Sequence, residues 1–405
     1  MTREAYNPFE KYGIRRVINA ATCSTKIGGS IAHPEVFKAM EDASKAFVKI
    51  PELQQWAGKI LAEVTGAEAG LPTAGAGNAI VLAAAACIMR GTELEKYDPL
   101  EKETWTHLIQ KLPLHTKGLR IEFIVQKSNR NMYDHNVECA GGRFVEVGTD
   151  AGTTEEELHN AYNPEKTAAY YFTVRRSYKC LPLETMIRIA HKYGVPVIVD
   201  VAAELPPKKN LTRYFSVGVD LVIYSGGKFI AGPNNSGILV GRKDLIKLAH
   251  LQAYPFHGIG RSAKMSRETI VGLITALRKY LELDEAFFFE NWEKKATWMV
   301  KQLKSIPEVE VGLDYMATVE EGEPMVPLCY IKIDEKAFGM DGKELSAKLK
   351  EGNPRIEAPY EPDYLLEEYR GKLTLNPQYL LEGDEYIVIE RVKKILSDSL
   401  LKEGI

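Results

Sequence analysis

Two side chains of this sequence have the types and positions that covalent amine chemistry requires. Asp200 ends an apolar run that begins at Ile198, and Lys228 follows the glycine pair 226–227 after a second run. A lysine amine can form an imine with an aldehyde, and a buried carboxylate can keep a nitrogen base protonated. An enzyme that uses pyridoxal phosphate (PLP) needs both groups. The alternative interpretation is that Asp200 is a helix N-cap and Lys228 a solvated surface lysine.

A third element lies upstream, in the small-residue stretch 72–78 that leads into the apolar run 79–89. Gly75, Ala76 and Gly77 would expose backbone N–H groups at a helix N-terminus, where a phosphate is favourable. No Gly-Lys-Ser/Thr follows, as it would in a P-loop, and the spacing does not fit G-x-G-x-x-G. A tight turn between a strand and a helix is the alternative. Together with Asp200 and Lys228, the loop completes a candidate PLP site.

The elements that must position these residues alternate between strand-type and helix-type stretches from 121 to 241. We predict strands at 121–125, 144–147, 168–174, 195–199, 221–224 and 237–240, since these runs are rich in β-branched and aromatic residues. Near-continuous apolar strands separated by helices predict a mainly parallel sheet covered on both faces. Ligands of such a sheet bind beyond the carboxyl ends of its strands. Asp200 and Lys228 are therefore expected to face the same crevice.

The pattern changes after residue 266 to long helices, predicted at 267–284 and 285–306. A smaller α/β domain is expected beyond them, with strands at 309–313 and 326–333 and helices at 342–350 and 385–401. We predict four parts. These are an N-terminal segment 1–50 associated with the small domain, a large PLP-binding domain 51–265, bridging helices 266–306 and a small C-terminal domain 307–405.

Composition limits the partners and the compartment. Lys and Arg number 52 against 55 Asp and Glu, a net charge of -3 that provides no basic field for nucleic acid. The five cysteines are scattered, which favours neither a disulfide framework nor zinc and agrees with a cytoplasmic protein. The histidines lack metal-ligand spacing, so no metal is expected. No run approaches the ~18 apolar residues of a membrane helix.

The whole set of motifs resembles the selenocysteine synthase-like branch of fold type I PLP enzymes. The likeness rests on the phosphate loop, the strand-end Asp, Ser-Gly-Gly-Lys, and the later segments 232–233 and 236–241. The segments 16–21, 27–30, 133–135, 140–148 and 375–377 look especially like the ammonia lyases of D-glucosaminate 6-phosphate within that branch. The resemblance implies an aspartate-aminotransferase-like fold with a seven-stranded sheet in the large domain. It also implies a homodimer or larger homo-oligomer.

The resemblance further implies roles for single residues. Lys228 would carry PLP as an imine and Asp200 would face its pyridine nitrogen, while Gly75, Ala76, Gly77 and Ser225 would hold its phosphate. Tyr133 or His135 would stack on the ring. Substrate choice stays open because Asn78 and the stretch 127–129 depart from the ammonia-lyase pattern.

Several cations are candidates for binding a substrate carboxylate or phosphate. Arg355 falls in a small-domain segment that reaches toward the active site in this fold, and Arg175 and Arg176 follow the strand predicted at 168–174. Lys26 and Arg261 are weaker candidates of the same kind. Each of these side chains could equally be a solvated or ion-paired surface group.

The hypothesised reaction is an α,β-elimination on a small-molecule hydroxy-amino acid or an amino-sugar acid such as D-glucosaminate 6-phosphate, giving ammonia and a 2-oxo acid. Lys228 would remove the α-proton. An amino-acid racemase and a selenium or sulfur transferase acting on a seryl-type substrate are alternatives, because one PLP scaffold supports many reactions. A catalytically silent fold is a further alternative, and the retention of Lys228 and Asp200 argues against it.

Overall fold

The computed structural model describes residues 7–101, 105–174, 177, 179–317, 324–361 and 370–400. The chain divides into two compact units, one of Ser30–Leu283 and one of Met1–Gly29 with Asp284–Ile405. Residues 30–50 and 266–283 thus lie in the larger unit. The predicted boundaries differ, since residues 30–50 are expected from the sequence in the N-terminal segment associated with the small domain and residues 266–283 in the bridging helices. The reason is that the helices in these two stretches pack along each other.

The elements are numbered in chain order. The strands are β1 (Val17–Asn19), β2 (Ala69–Thr73), β3 (Glu122–Gln126), β4 (Arg143–Val147), β5 (Thr167–Thr173), β6 (Val197–Asp200), β7 (Leu221–Ser225), β8 (Gly237–Gly241), β9 (Val309–Ala317), β10 (Pro324–Ile333), β11 (Arg355–Glu357) and β12 (Leu373–Leu375). The helices are α1 (Pro34–Ser44), α2 (Ile50–Thr65), α3 (Ala76–Met89), α4 (Thr106–Ile109), α5 (His135–Cys139), α6 (Glu155–Asn160), α7 (Leu183–Lys192), α8 (Arg213–Ser216), α9 (Lys243–Gln252), α10 (Arg267–Glu282), α11 (Glu285–Leu303), α12 (Glu335–Phe338), α13 (Gly342–Glu351) and α14 (Asp384–Leu400).

In the described part of the larger unit, seven strands form one sheet in the order β2-β8-β7-β6-β5-β3-β4. β8 runs antiparallel to both of its neighbours, and the other neighbouring pairs are parallel. This confirms the predicted mainly parallel, seven-stranded sheet. The apolar runs predict β3 to β8 but not β2, because Gly70 and Pro72 interrupt that strand.

Helices cover both faces of this sheet. α3 is apolar on nearly every side and packs on the face that includes Tyr171 and Ile198. α7 and α10 pack on the opposite face, against Tyr170 and Val199. Successive side chains of a strand alternate between faces, so Asp200 lies on the α3 face with Ile198. The sheet therefore brings Asp200 to the same side as the helix that begins after the phosphate loop.

The described part of the smaller unit contains a three-stranded antiparallel sheet, β12-β10-β9, and a parallel pair, β1-β11. α11, α13 and α14 supply most of the helical side chains of its core, including Met299, Leu345 and Val392. This is the predicted small α/β fold. Within the described residues, no helix has the length and apolar content needed to cross a membrane.

Candidate active site

The phosphate loop joins β2 to α3 in a conformation that depends on Gly75. This residue has a φ of 88°, and no heavy atom lies within 4 Å of the position that its Cβ would occupy. The Thr73 hydroxyl donates to the Gly75 carbonyl (3.1 Å), and the Ala74 N–H donates to Asn78 Oδ1 (3.4 Å). The first N–H groups of α3 have no acceptor within their own helix. The loop is thus an ordered cradle of N–H groups with open space before it.

Gly237 on β8 brings the loop and Ser225 together. In the strand register Gly237 lies between Thr73 of β2 and Ser225 of β7. A Cβ on Gly237 would lie 2.4 Å from the Gly75 carbonyl carbon and 2.7 Å from the Ala76 nitrogen. Only glycine therefore lets the loop rest on the sheet at this point. The predicted phosphate-binding residues thus lie together at the carboxyl ends of β2 and β7.

Asp200 ends β6 and is 7% exposed. Its register neighbours are Thr173 on β5 and Ile223 on β7, and its Oδ1 accepts the Ala202 N–H (2.9 Å). Burial raises the pKa of Asp200, and the Ala202 N–H and the charge of Lys228 partly oppose that rise. The charge of Lys228 therefore acts on Asp200, so the two residues that carry the hypothesis lie in the same part of the larger unit.

Lys228 lies in a turn after β7 that two glycines make possible. A Cβ on Gly226 would lie 2.3 Å from Ser236 Oγ, and one on Gly227 would lie 2.6 Å from the Asn234 Cα. The Gly227 carbonyl accepts both the N–H and the hydroxyl of Ser30, at 3.2 and 2.9 Å. The half-buried Lys228 amine has no hydrogen bond or ion pair with any described residue. A rigid turn thus presents an uncommitted amine near Asp200.

Tyr133 and His135, the predicted ring-stacking residues, lie beside the start of α5. Tyr133 is 55% exposed, and the exposed His135 places Nδ1 at 2.8 Å from the Met132 carbonyl. One position along, Asn136 Oδ1 lies 3.4 Å from where a Cβ on Gly77 would be. The segment therefore reaches the phosphate loop, and the stacking role of either ring stays a prediction.

The candidate substrate-binding cations are spread over the chain. Arg355 is exposed on β11 of the smaller unit, which also contains Lys26. Arg175 and Arg176 lie outside the described residues. In the larger unit Arg261 lines a cavity of about 510 Å³, together with Lys264, His257, Gln110, Leu112, Gly258, Ile259 and Ser262. Of these candidates the structure places Arg261 in a cavity rich in basic side chains.

Sequence reasoning did not find a buried polar group next to Asp200. Asn129 donates to the Thr173 carbonyl (2.9 Å) and accepts the Thr173 N–H (2.8 Å), and Asn131 donates to the Thr173 hydroxyl (2.9 Å). Asp134 accepts the Asn131 N–H (2.9 Å). The available signal was a cluster of Asn and Asp just after a strand, where side chains commonly bond the backbone of a neighbouring element.

Residues 134–288 match the family described as L-seryl-tRNA selenium transferase. A 5'-C-glycyluridine monooxygenase-decarboxylase from a Streptomyces species is 31% identical over 399 residues, 96% of this chain and 92% of that protein. D-glucosaminate-6-phosphate ammonia lyase of Salmonella typhimurium is 29% identical over 401 residues, 96% and 98% of the two chains. A solved structure of D-glucosaminate-6-phosphate ammonia-lyase matches with a TM-score of 0.80 and 26% identity, covering 98% and 99% of the two chains.

The sheet order, the strand-end residues and these likenesses define the class of the protein, which has the aspartate-aminotransferase-like fold of fold type I PLP enzymes. Within that class the chain belongs to the selenocysteine synthase-like family. The relatives are named as a lyase, a monooxygenase-decarboxylase and selenium transferases, so the family is one of enzymes with several reactions.

Proposed function

We propose that this enzyme binds PLP through Lys228 and catalyses an α,β-elimination on a hydroxy-amino acid or an amino-sugar acid such as D-glucosaminate 6-phosphate. The observation that carries the proposal is that the phosphate loop, Ser225, Asp200 and Lys228 all lie at the carboxyl ends of β2, β6 and β7. The full-length likeness to D-glucosaminate-6-phosphate ammonia lyase supports the choice of reaction.

The residues present fit the cofactor on two structural grounds. Open space faces Gly75, beside N–H groups that have no acceptor in their own helix. Asp200 is a buried carboxyl whose ionised form is penalised by burial, so a cationic partner would stabilise it. Gly75, Ala76, Gly77 and Ser225 would hold the phosphate, and Asp200 would keep the ring nitrogen protonated.

PLP, when bound, withdraws electrons from the α-carbon of an amino acid and so weakens the bonds to that carbon. Lys228 would hold the cofactor and, once displaced by the substrate amine, would take the α-proton. The β-hydroxyl would leave as water with a second proton. Addition of one water then releases ammonia, so that the net products are a 2-oxo acid and ammonium.

A substrate with a carboxylate and a phosphate needs cationic recognition. Arg355, Arg175 and Arg176 are the proposed contacts, and Arg261 is a further candidate because of its cavity. A freely diffusing amino acid also agrees with the net charge of -3, which offers no field for a large RNA substrate.

The proposal is tested by supplying the PLP-loaded enzyme with β-hydroxy amino acids and with D-glucosaminate 6-phosphate. Equal amounts of ammonia and 2-oxo acid from one substrate, lost in Lys228→Ala, are the expected result. Loss of optical activity without ammonia would establish the racemase instead. Incorporation of selenium into a seryl-tRNA would establish the transferase, and no conversion of any substrate would support the silent alternative.

One comparison favours a second candidate. The Streptomyces relative, 31% identical over nearly the whole chain, is named a monooxygenase-decarboxylase. In an O₂-dependent decarboxylation the bond from the α-carbon to the carboxylate would break instead, and O₂ would be the oxidant. One amino acid and one O₂ would then give CO₂, one water and an amide that is one carbon shorter. The assay should therefore also record O₂ consumption and CO₂. CO₂ released with O₂ uptake, and no 2-oxo acid of unchanged carbon number, would select this reaction over elimination.

A further inference from the structure

Asp134 is a buried carboxylate with one oxygen left unpaired. The residue is 1% exposed, and its Oδ2 accepts the Arg130 Nε–H (2.6 Å) and the Asn131 N–H (2.9 Å). Its Oδ1 is buried and has no hydrogen-bond partner in the described part of the chain. Burying such an oxygen without a partner is costly, so its presence calls for an explanation.

Arg130, the cation that faces Asp134, is fixed to the edge strand β4. Its guanidinium lies 4.5 Å from the centre of the Phe144 ring and also forms an ion pair with Glu146. Glu146 is on the exposed side of this pair, with 46% of its side chain accessible, whereas Arg130 is 30% accessible. The Asp134 carboxylate is therefore held by a cation that cannot easily move away.

The other side of the network is tied to the end of β5. Asn131, whose N–H donates to Asp134, donates through its side chain to the Thr173 hydroxyl. Asn129 pairs with both backbone groups of Thr173 in the manner of a neighbouring strand. Thr173 is the register neighbour of Asp200. A continuous series of hydrogen bonds thus runs from the edge strand β4 to the residue beside Asp200.

The same segment also lies against the phosphate loop. Asn136 donates to the Tyr133 carbonyl (2.7 Å), and its amide is in van der Waals range of the Gly77 Cβ position. The charge of Asp134 acts on Asp200 as well, since it adds to the burial that raises the Asp200 pKa. The other charged groups that act on Asp200 are Lys228, which opposes the rise, and Glu204, which adds to it.

We propose that Asp134 is a positioning residue of the cofactor site, which holds residues 129–136 across the carboxyl ends of β3 and β5, between the phosphate loop and Asp200. It acts through Asn131 and Thr173 and sets the charge near Asp200, without touching the reacting atoms. The inference rests on the proposed function, because it assigns Asp134 to a site that binds PLP.

The test compares Asp134→Asn with Glu146→Gln in full-length protein, by titrating the apo forms with PLP from pH 5 to 9 without substrate. Asp134→Asn keeps the size of the side chain and one acceptor but removes the charge, and we expect about tenfold weaker PLP affinity. Glu146→Gln removes the charge of the exposed partner of Arg130, and its PLP affinity should stay within about twofold of the wild-type affinity.

The pH dependence separates positioning from mere packing. PLP affinity should fall at acid pH as Asp200 gains a proton, because only its ionised form can pair with a protonated ring nitrogen. Removing the negative charge of Asp134 lowers the pKa of Asp200, so in Asp134→Asn this fall should occur at lower pH. A packing defect alone would weaken PLP binding at every pH without changing the pH at which the affinity falls on the acid side.

The outcomes separate the inference from the proposed function. The inference alone would be overturned if wild-type protein binds PLP and Asp134→Asn binds it equally well, or with the acid fall in affinity at the same pH. Wild-type protein that binds no PLP would overturn the proposed function and the inference with it. If Asp134→Asn does not fold, Asn131→Ser cuts the bond to Thr173 and leaves the Arg130–Asp134 pair intact. This variant should also bind PLP about tenfold more weakly, and wild-type affinity in it would overturn the inference.

Discussion

The contact between Gly237 and the phosphate loop gives a quantitative prediction for Gly237→Ala. The added Cβ would lie 2.4 Å from the Gly75 carbonyl carbon and 2.7 Å from the Ala76 nitrogen. Carbon atoms pack best at roughly 3.5–4.0 Å, so the loop backbone would have to move by about 1 Å. Neither backbone atom can rotate away as a flexible side chain would. The substitution therefore displaces the N–H cradle from the sheet.

Two effects of known size follow from that displacement. Overpacking of this kind costs about 1–3 kcal/mol of folding free energy, which corresponds to a melting temperature lower by on the order of 5 °C. A displacement of about 1 Å in a positioning group can lower a reaction rate roughly 100-fold, and we take this as the upper limit for the loss of PLP affinity. We therefore expect Gly237→Ala to fold, to melt a few degrees lower, and to bind PLP between about 10- and 100-fold more weakly.

The assay is a PLP titration of apo protein followed by visible absorption, with a melting curve for each variant. Gly241→Ala is the matched control, because it lies at the other end of β8 and its Cβ would also meet backbone, 2.0 Å from the Asp220 carbonyl oxygen. It should lower the melting temperature by a similar amount and leave PLP affinity unchanged. Wild-type PLP affinity in folded Gly237→Ala would refute the assignment of Gly75–Gly77 as the phosphate cradle.

Three further predictions concern the surroundings of the site. The pKa of Asp200 is higher in the folded chain than in the unfolded chain, so the ionised carboxylate destabilises the fold once the pH exceeds the pKa of the unfolded chain. The apo form of Asp200→Asn should therefore have a higher melting temperature than wild type at pH 8 but not at pH 3. The same variant should lose PLP affinity. Ser30→Ala removes the hydrogen bond from the Ser30 hydroxyl to the Gly227 carbonyl (2.9 Å). It should lower the free energy of unfolding, measured by denaturant titration, by about 0.5–1.5 kcal/mol and slow the attachment of PLP to Lys228. Asp220→Ala leaves three donors without an acceptor at the end of the sheet opposite to the site. It should lower the free energy of unfolding by about 1–3 kcal/mol and leave PLP affinity unchanged. A large loss of PLP affinity would contradict the placement of the site.

Most of the sheet could be predicted from sequence because its central strands, β5 to β8, are buried on both faces. β3 to β8 appear as apolar runs, and Asp200 and Lys228 stand out because each follows such a run. β2 could not be found in this way, since its five residues include Gly70 and Pro72. Its place in the sheet comes from pairing with β8, a contact between residues far apart in the chain.

The surroundings of Asp200 could not be predicted for the same reason. Asn129 pairs with Thr173, which lies 44 positions away in the chain. Asp134, whose charge acts on the pKa of Asp200, precedes β4, whereas Asp200 ends β6. Sequence analysis can identify residue types that suit a ligand, but hydrogen-bond partners of this kind depend on the sheet order. The substrate also stays open, because relatives with different reactions share this fold and much of this sequence.

The measurement that tests the central claim most directly is the site of covalent PLP attachment. Purified protein is incubated with PLP, reduced with borohydride, digested and analysed by peptide mass spectrometry, with Lys228→Ala and the exposed-lysine variant Lys59→Ala in parallel. We expect the pyridoxyl group on the peptide that contains Lys228, in wild type and Lys59→Ala alike, and a visible absorption band that Lys228→Ala lacks. A pyridoxyl group found only on other lysines, or none at all, would contradict the assignment of Lys228.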